Sequence, residues 1–147
     1  MTDSITIENV LLKFENLNHG VNHGCEYGLY GLPRRSHLNT SLDDYFSSLY
    51  TSHSPSQPAE HWQIRCERLN KDLSEIIMYW FFEQAYSPSF LEDEKKAVIE
   101  LFLRLLKDRF GAHELFEVLV EPPMWYDCVW QDIAIRSQDG EMAILHF

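Results

Sequence analysis

The stretch His19-Gly-Val-Asn-His23-Gly-Cys25 sets two imidazoles and a thiol among glycines. Imidazole and thiolate are good zinc ligands, so these residues invite a metal reading. No paired ligand motif answers them elsewhere, because Cys66 and Cys128 stand singly. Cys25 could instead act as a nucleophile with one of the seven histidines as its base. Any cysteine in a histidine-bearing chain meets that description, and glycines alone explain the loop. The residues therefore predict no catalytic group, no metal and no cofactor. Carboxylates lie close together at Asp43-Asp44, at Glu92-Asp93-Glu94 and at Asp127 near Asp132. Acid–base chemistry needs two carboxyls held in different environments, whereas runs of this kind read as solvated faces or helix-start charges. The glycine and lysine spacing of a phosphate-binding loop is absent, as are the serine elbow of hydrolases and the paired histidines of zinc proteases.

The elements expected to position these groups follow from periodicity. Residues 4–17 mix a strand-like start with Val10, Leu11, Phe14 and Leu17 at helical spacing, and lean towards helix. Residues 18–37 hold four of the six glycines and read as a long irregular loop. Ser41 then opens a short helix with Asp44 as its capping partner, and Leu42, Tyr45, Phe46 and Leu49 form its apolar face. Trp62, Cys66, Leu69, Leu73, Ile76 and Trp80 recur at spacings of three and four, which predicts one long amphipathic helix. Ser89 with Glu92 reads as a second capping box. It precedes a helix through Val98, Leu101, Phe102, Leu105 and Leu106, which stops at Gly111. After Pro122-Pro123 the period becomes two: Val129, Gln131, Ile133 and Ile135 alternate with Trp130, Asp132, Ala134 and Arg136. Asp139-Gly140 supplies a turn and Met142 to Phe147 a second strand. The expected fold is α+β: a helix-rich single domain over residues 1–147, with two long amphipathic helices and a C-terminal antiparallel β-hairpin.

Charge narrows the functions. The chain of 147 residues carries a net charge of −11, and residues 111–147 alone hold seven acids against Arg136. Binding nucleic acid rests on Lys and Arg neutralising phosphates, so nucleic acid and anionic membrane are unlikely partners. The N-terminus has no secretory pattern and the apolar cluster Ile76 to Phe82 is too short to span a bilayer, so the expected compartment is the cytoplasm. A basic protein partner suits the charge. Asp43, Asp44 and Tyr45 on the short helix, with Trp125, Tyr126, Asp127 and Asp132 near the hairpin, are the candidate partner-binding residues. Trp and Tyr are frequent anchors of interfaces, which is why the aromatic–acidic run after Pro123 is chosen.

The tail from Trp125 to Phe147 resembles the ending of some small bacterial immunity proteins, the antitoxins of contact-dependent inhibition and related polymorphic toxin systems. The resemblance covers roughly the last quarter of the chain and carries over no functional residue. It implies a non-enzymatic protein that binds one cognate toxin domain, often a basic nuclease, and blocks its active site or substrate path. The alternatives are a small enzyme using Cys25 and a loop histidine, or an adaptor or assembly subunit that presents a helix face.

Overall fold

The computed structural model describes residues 5–19, 26–49, 55–83, 90–124, 126–127 and 129–147. Among the described residues there are four α-helices: α1 (Ile7–His19), α2 (Leu38–Ser47), α3 (Leu73–Met78) and α4 (Glu92–Phe110). Five strands accompany them: β1 (Gly28–Gly31), β2 (Gln63–Arg68), β3 (His113–Glu121), β4 (Asp132–Ser137) and β5 (Met142–His146). The strands form one sheet in the order β1-β5-β4-β3-β2, with β2, β3, β4 and β5 paired antiparallel. The chain divides into two compact units. One gathers residues 1–29, 70–112 and Phe147; the other gathers residues 30–69 and 113–146.

The helical unit closes around aromatic rings. Phe14 of α1 stacks on Phe81, with centroids 4.3 Å apart, and Phe102 of α4 meets Phe81 edge-on at 5.6 Å. α3 runs directly into a turn of π-helix, Tyr79–Glu83, which places Trp80, Phe81 and Phe82 inward together. A π-turn departs from the regular hydrogen-bond ladder, so its carbonyls call on other donors. The Trp80 carbonyl accepts from Tyr27 Oη at 2.5 Å and from Asn18 Nδ2 at 3.1 Å. Asn18 is wholly buried and is committed to that role. At the other end of α1, Thr6 and Asn9 cap each other: Asn9 N donates to Thr6 Oγ1 at 3.1 Å and Thr6 N to Asn9 Oδ1 at 3.3 Å.

In the sheet unit the register decides which residues share a face. Cys66, Val118, Asp132 and His146 lie opposite one another in a row across β2, β3, β4 and β5. The parallel row Phe116, Ala134 and Ile144 lies beside them. α2 covers this face with Leu38, Leu42 and Phe46, joined by Leu32 and Trp62, to make one buried apolar cluster. The turn between β4 and β5 requires a left-handed residue, and Gly140 supplies it at φ 94°. Its N–H donates to the Ser137 carbonyl at 3.1 Å, and an added Cβ would meet the Arg34 guanidinium at 3.4 Å. Gly140→Ala should therefore cost about 1 kcal/mol or more, read as a lower urea midpoint. Gly31→Ala, whose Cβ would meet nothing within 4 Å, should be close to neutral. Equal effects at the two glycines would remove the conformational explanation.

The expected pair of long amphipathic helices is not found. Residues 62–80 break into β2 and the six-residue α3, leaving α4 as the one long helix of the proposed pair. The physical reason lies in the sequence of β2 itself. Ile64 and Cys66 alternate with Gln63, Arg65 and Glu67, so the same residues also satisfy a period of two. Pairing with β3 over six residues then overrides the helical reading. Asp72 restarts the helix by accepting from Ser74 N at 3.2 Å. The expected C-terminal hairpin is replaced by a five-stranded sheet in which β4 and β5 occupy inner positions. The caps also move. α2 begins at Leu38 rather than at Ser41, which is fully buried. At α4 the Glu94 carboxylate, not that of Glu92, accepts from the Leu91 N–H at 3.1 Å. Ser89 lies outside the described residues. The long loop expected over 18–37 is shortened by α1 and interrupted by β1.

Candidate functional site

The densest group of polar side chains gathers around His146 in the sheet unit. β5 and β4 put His146 directly opposite Asp132, so the two side chains emerge side by side. His146 Nδ1 lies 2.5 Å from Asp132 Oδ1, and Nε2 lies 2.8 Å from Asp127 Oδ2. Tyr126 Oη donates to the other oxygen of Asp132 at 2.7 Å. Asp127 and Tyr126 come from the segment joining β3 to β4, which folds back over the strand pair. Tyr126 is held by rings as well: Phe46 at 5.7 Å, Trp62 at 6.0 Å and Trp130 at 5.2 Å.

Burial alone would lower the His146 pKa. The hydrogen bonds to Asp127 and Asp132, with the charges behind them, outweigh it and push the group up to about 9. The ring is therefore an imidazolium at neutral pH, with both N–H groups donating to carboxylates. Burial, followed by the charge of Asp132 and the hydrogen bond to it, drives the Tyr126 phenol far above its ordinary range. Tyr45 is raised as well, first by burial and then by Asp132 and Tyr30. A general base needs a free lone pair and a nucleophile needs access. This imidazolium has neither, and its two short contacts tie the β3–β4 segment to the sheet.

The structure thus brings together Tyr126, Asp127 and Asp132, with Tyr45 nearby, but it turns them inward. Asp132 is completely buried and the Asp127 side chain is 11% exposed. Asp43 is exposed, and its carboxyl is raised by partial burial and by the neighbouring Asp44. Asp44 pairs with Arg35 Nε at 2.7 Å. Trp125 lies outside the described residues, as do His23, Cys25 and the side chain of His19. Cys66 is half-buried on β2, and burial pushes its thiol up, away from the reactive thiolate form. His146, the centre of the cluster, was missed by sequence reasoning. The signal for it was the turn: counting outward from Asp139 on both arms sets residue 132 opposite residue 146.

Among the described residues, no group of three or more His, Cys, Asp or Glu is arranged to hold a metal ion. No helix among them is long and apolar enough to cross a membrane. Concave surfaces lie on both units. A groove of about 680 Å³ on the sheet unit is lined by Trp62, Arg65, Glu117, Glu121 and Trp130, with charges of both signs. A second, of about 610 Å³, lies on the helical unit between α3 with its π-turn and α4, and carries five carboxylates against Lys96.

At least six of the chain's twelve lysines and arginines make hydrogen bonds or ion pairs, mostly at the surface. Arg34 donates to the Asp139 carbonyl at 2.9 Å, Arg65 pairs with Glu67 at 3.2 Å, and Lys95 pairs with Glu92 at 3.2 Å. Arg68 and Arg136 both hold Glu114, whose carboxyl they lower below its usual range. Exposed Asp43, Glu75, Glu83, Asp93, Glu100 and Glu121 outnumber exposed Lys13, Lys71, Lys96, Arg104 and Lys107, so the outward field is negative. No protein-family model, no curated protein and no solved structure is significantly similar to this chain.

Proposed function

We propose that the chain is a non-enzymatic binding protein that neutralises a basic toxin domain, in the manner of an immunity protein. The observation that carries this reading is the disposition of charge. The chain carries a net charge of −11 and many of its carboxylates are exposed, while Arg34, Arg35, Arg65, Arg68 and Arg136 are partly neutralised by contacts within the chain. Such a surface steers towards a cationic partner and competes for a cleft built to hold phosphate. His146, Asp127 and Asp132 are buried and committed to one another, a structural use that also favours binding over turnover.

The test is co-expression with cationic domains of secreted toxins from the same organism, beginning with any encoded beside this chain. A stoichiometric complex is expected, with growth restored and with affinity that falls steeply as salt is raised. A folded toxin domain that forms no complex and still kills the cell would overturn the proposal. An affinity indifferent to salt would overturn its electrostatic basis.

A further inference from the structure

We infer that the groove between α3, its π-turn and α4 is the docking surface, and that its occupant is a basic amphipathic α-helix of the partner protein. This rests on the proposed binding of a basic protein and specifies where and how it occurs. The floor is apolar: Met78 and Leu103 are half-buried and Ile99 is 7% exposed. Along the α4 side, Glu92, Lys96, Ile99 and Leu103 follow at spacings of four, three and four, so one continuous helix face lines the groove. From Glu92 to Leu103 that face runs about 16 Å, room for roughly three turns of a second helix. Helix-in-groove recognition uses this combination of an apolar stripe and a charged rim.

The rim is more acidic than the fold requires. Glu92 and Asp93 sit in the first turn of α4 and Glu75 in the first turn of α3, where they complement the helix dipoles. Glu83 and Glu100 have no such internal use. Glu83 ends the π-turn, where a carboxylate opposes the dipole, and Glu100 stands midway along α4. Both are exposed and neither has an ion-pair partner among the described residues. π-turns are rare and recur at functional sites, and this one ends at the groove wall. With no carboxylates arranged for a metal ion among the described residues, the complementary cations are those of Lys and Arg distributed along a segment.

The probe is a synthetic amphipathic peptide of about four turns built from Lys and Leu, with a Glu and Leu peptide as control. It is titrated into the full chain and followed by backbone and methyl NMR. The expected result is saturable binding of the basic peptide, with shifts concentrated at Met78, Ile99 and Leu103, and no binding of the acidic one. The double variant Glu83→Lys with Glu100→Lys should weaken binding about tenfold or more. Glu60→Lys with Glu121→Lys, an equal charge change in the other unit, should leave it nearly unaltered. Equal losses from both double variants, or shifts spread over the surface, would overturn the groove while leaving a diffuse preference for basic proteins intact. A toxin complex whose affinity ignores the groove variant would likewise overturn the groove and spare the function. Failure of the basic peptide and of every cationic toxin domain to bind would overturn both.

Discussion

Replacing His146 with alanine should destabilise the protein by about 3–5 kcal/mol, the range found when one partner of a buried ion pair is removed. The reason is what stays behind. Asp132 is completely buried, and without the imidazolium it keeps, among the described residues, the Tyr126 Oη donor. Asp127 loses its 2.8 Å partner as well. Tyr126→Phe, which removes a single donor, should cost about 1 kcal/mol. Urea denaturation of the two variants separates these cases, and a loss at His146 no larger than at Tyr126 would show that the carboxylates tolerate the loss of the imidazolium. The pH profile gives a second readout. His146 has its pKa raised from 6.5 to about 9, so its contribution is fully present below pH 6.5 and disappears as pH rises through about 9. The parent protein should lose about 3 kcal/mol over that window. His146→Ala should lack this alkaline decline, and a variant that keeps it would assign the titration to another group.

Phe81→Ala should cost a comparable 3–5 kcal/mol, by a different mechanism. Phe81 has no exposed surface and lies at the centre of the helical unit's rings. It stacks on Phe14 with the ring planes 1° apart and meets Phe82, Phe102 and Phe147 at near-right angles. Removing it deletes buried apolar area and leaves a cavity whose walls come from several elements, so collapse is incomplete. Phe81→Leu should cost roughly 1 kcal/mol, because most of the volume is kept. Hydrogen exchange should report faster opening of α1 and α4 in the alanine variant. Unchanged protection in both helices would mean that Phe81 does not organise that core.

Where local pattern and long-range pairing agreed, the sequence was readable. α4 carries acids in its first turn and Lys107 and Arg109 in its last, and Gly111 ends it with φ 63°. β2 was not readable, because Trp62 and Cys66 fit a helical stripe as well as Ile64 and Cys66 fit a strand, and the deciding partner lies some fifty residues away in β3. β3 itself gives a weak alternation: Leu115, Phe116, Val118, Leu119 and Val120 are nearly continuous. Tyr126, Asp127 and Asp132 lie together in the structure, but sequence does not tell inward from outward. Asp132 was assigned to a surface because aspartate is seldom buried, and the paired imidazolium that makes its burial tolerable comes from another strand. The groove on the helical unit was invisible for a related reason. Glu83 and Glu100 come together through a π-turn that no local spacing announces.

The outer position of β2 has a consequence for self-association. A strand with one neighbour leaves half of its backbone donors and acceptors open to any incoming chain. Arg65, Glu67 and Arg68 are exposed along it, and a foreign strand would have to strip water from these ions before pairing. Neutralise all three and the same rim becomes a template for end-to-end ribbons. The most ordinary-looking charges on the molecule are thus its protection against fibril growth.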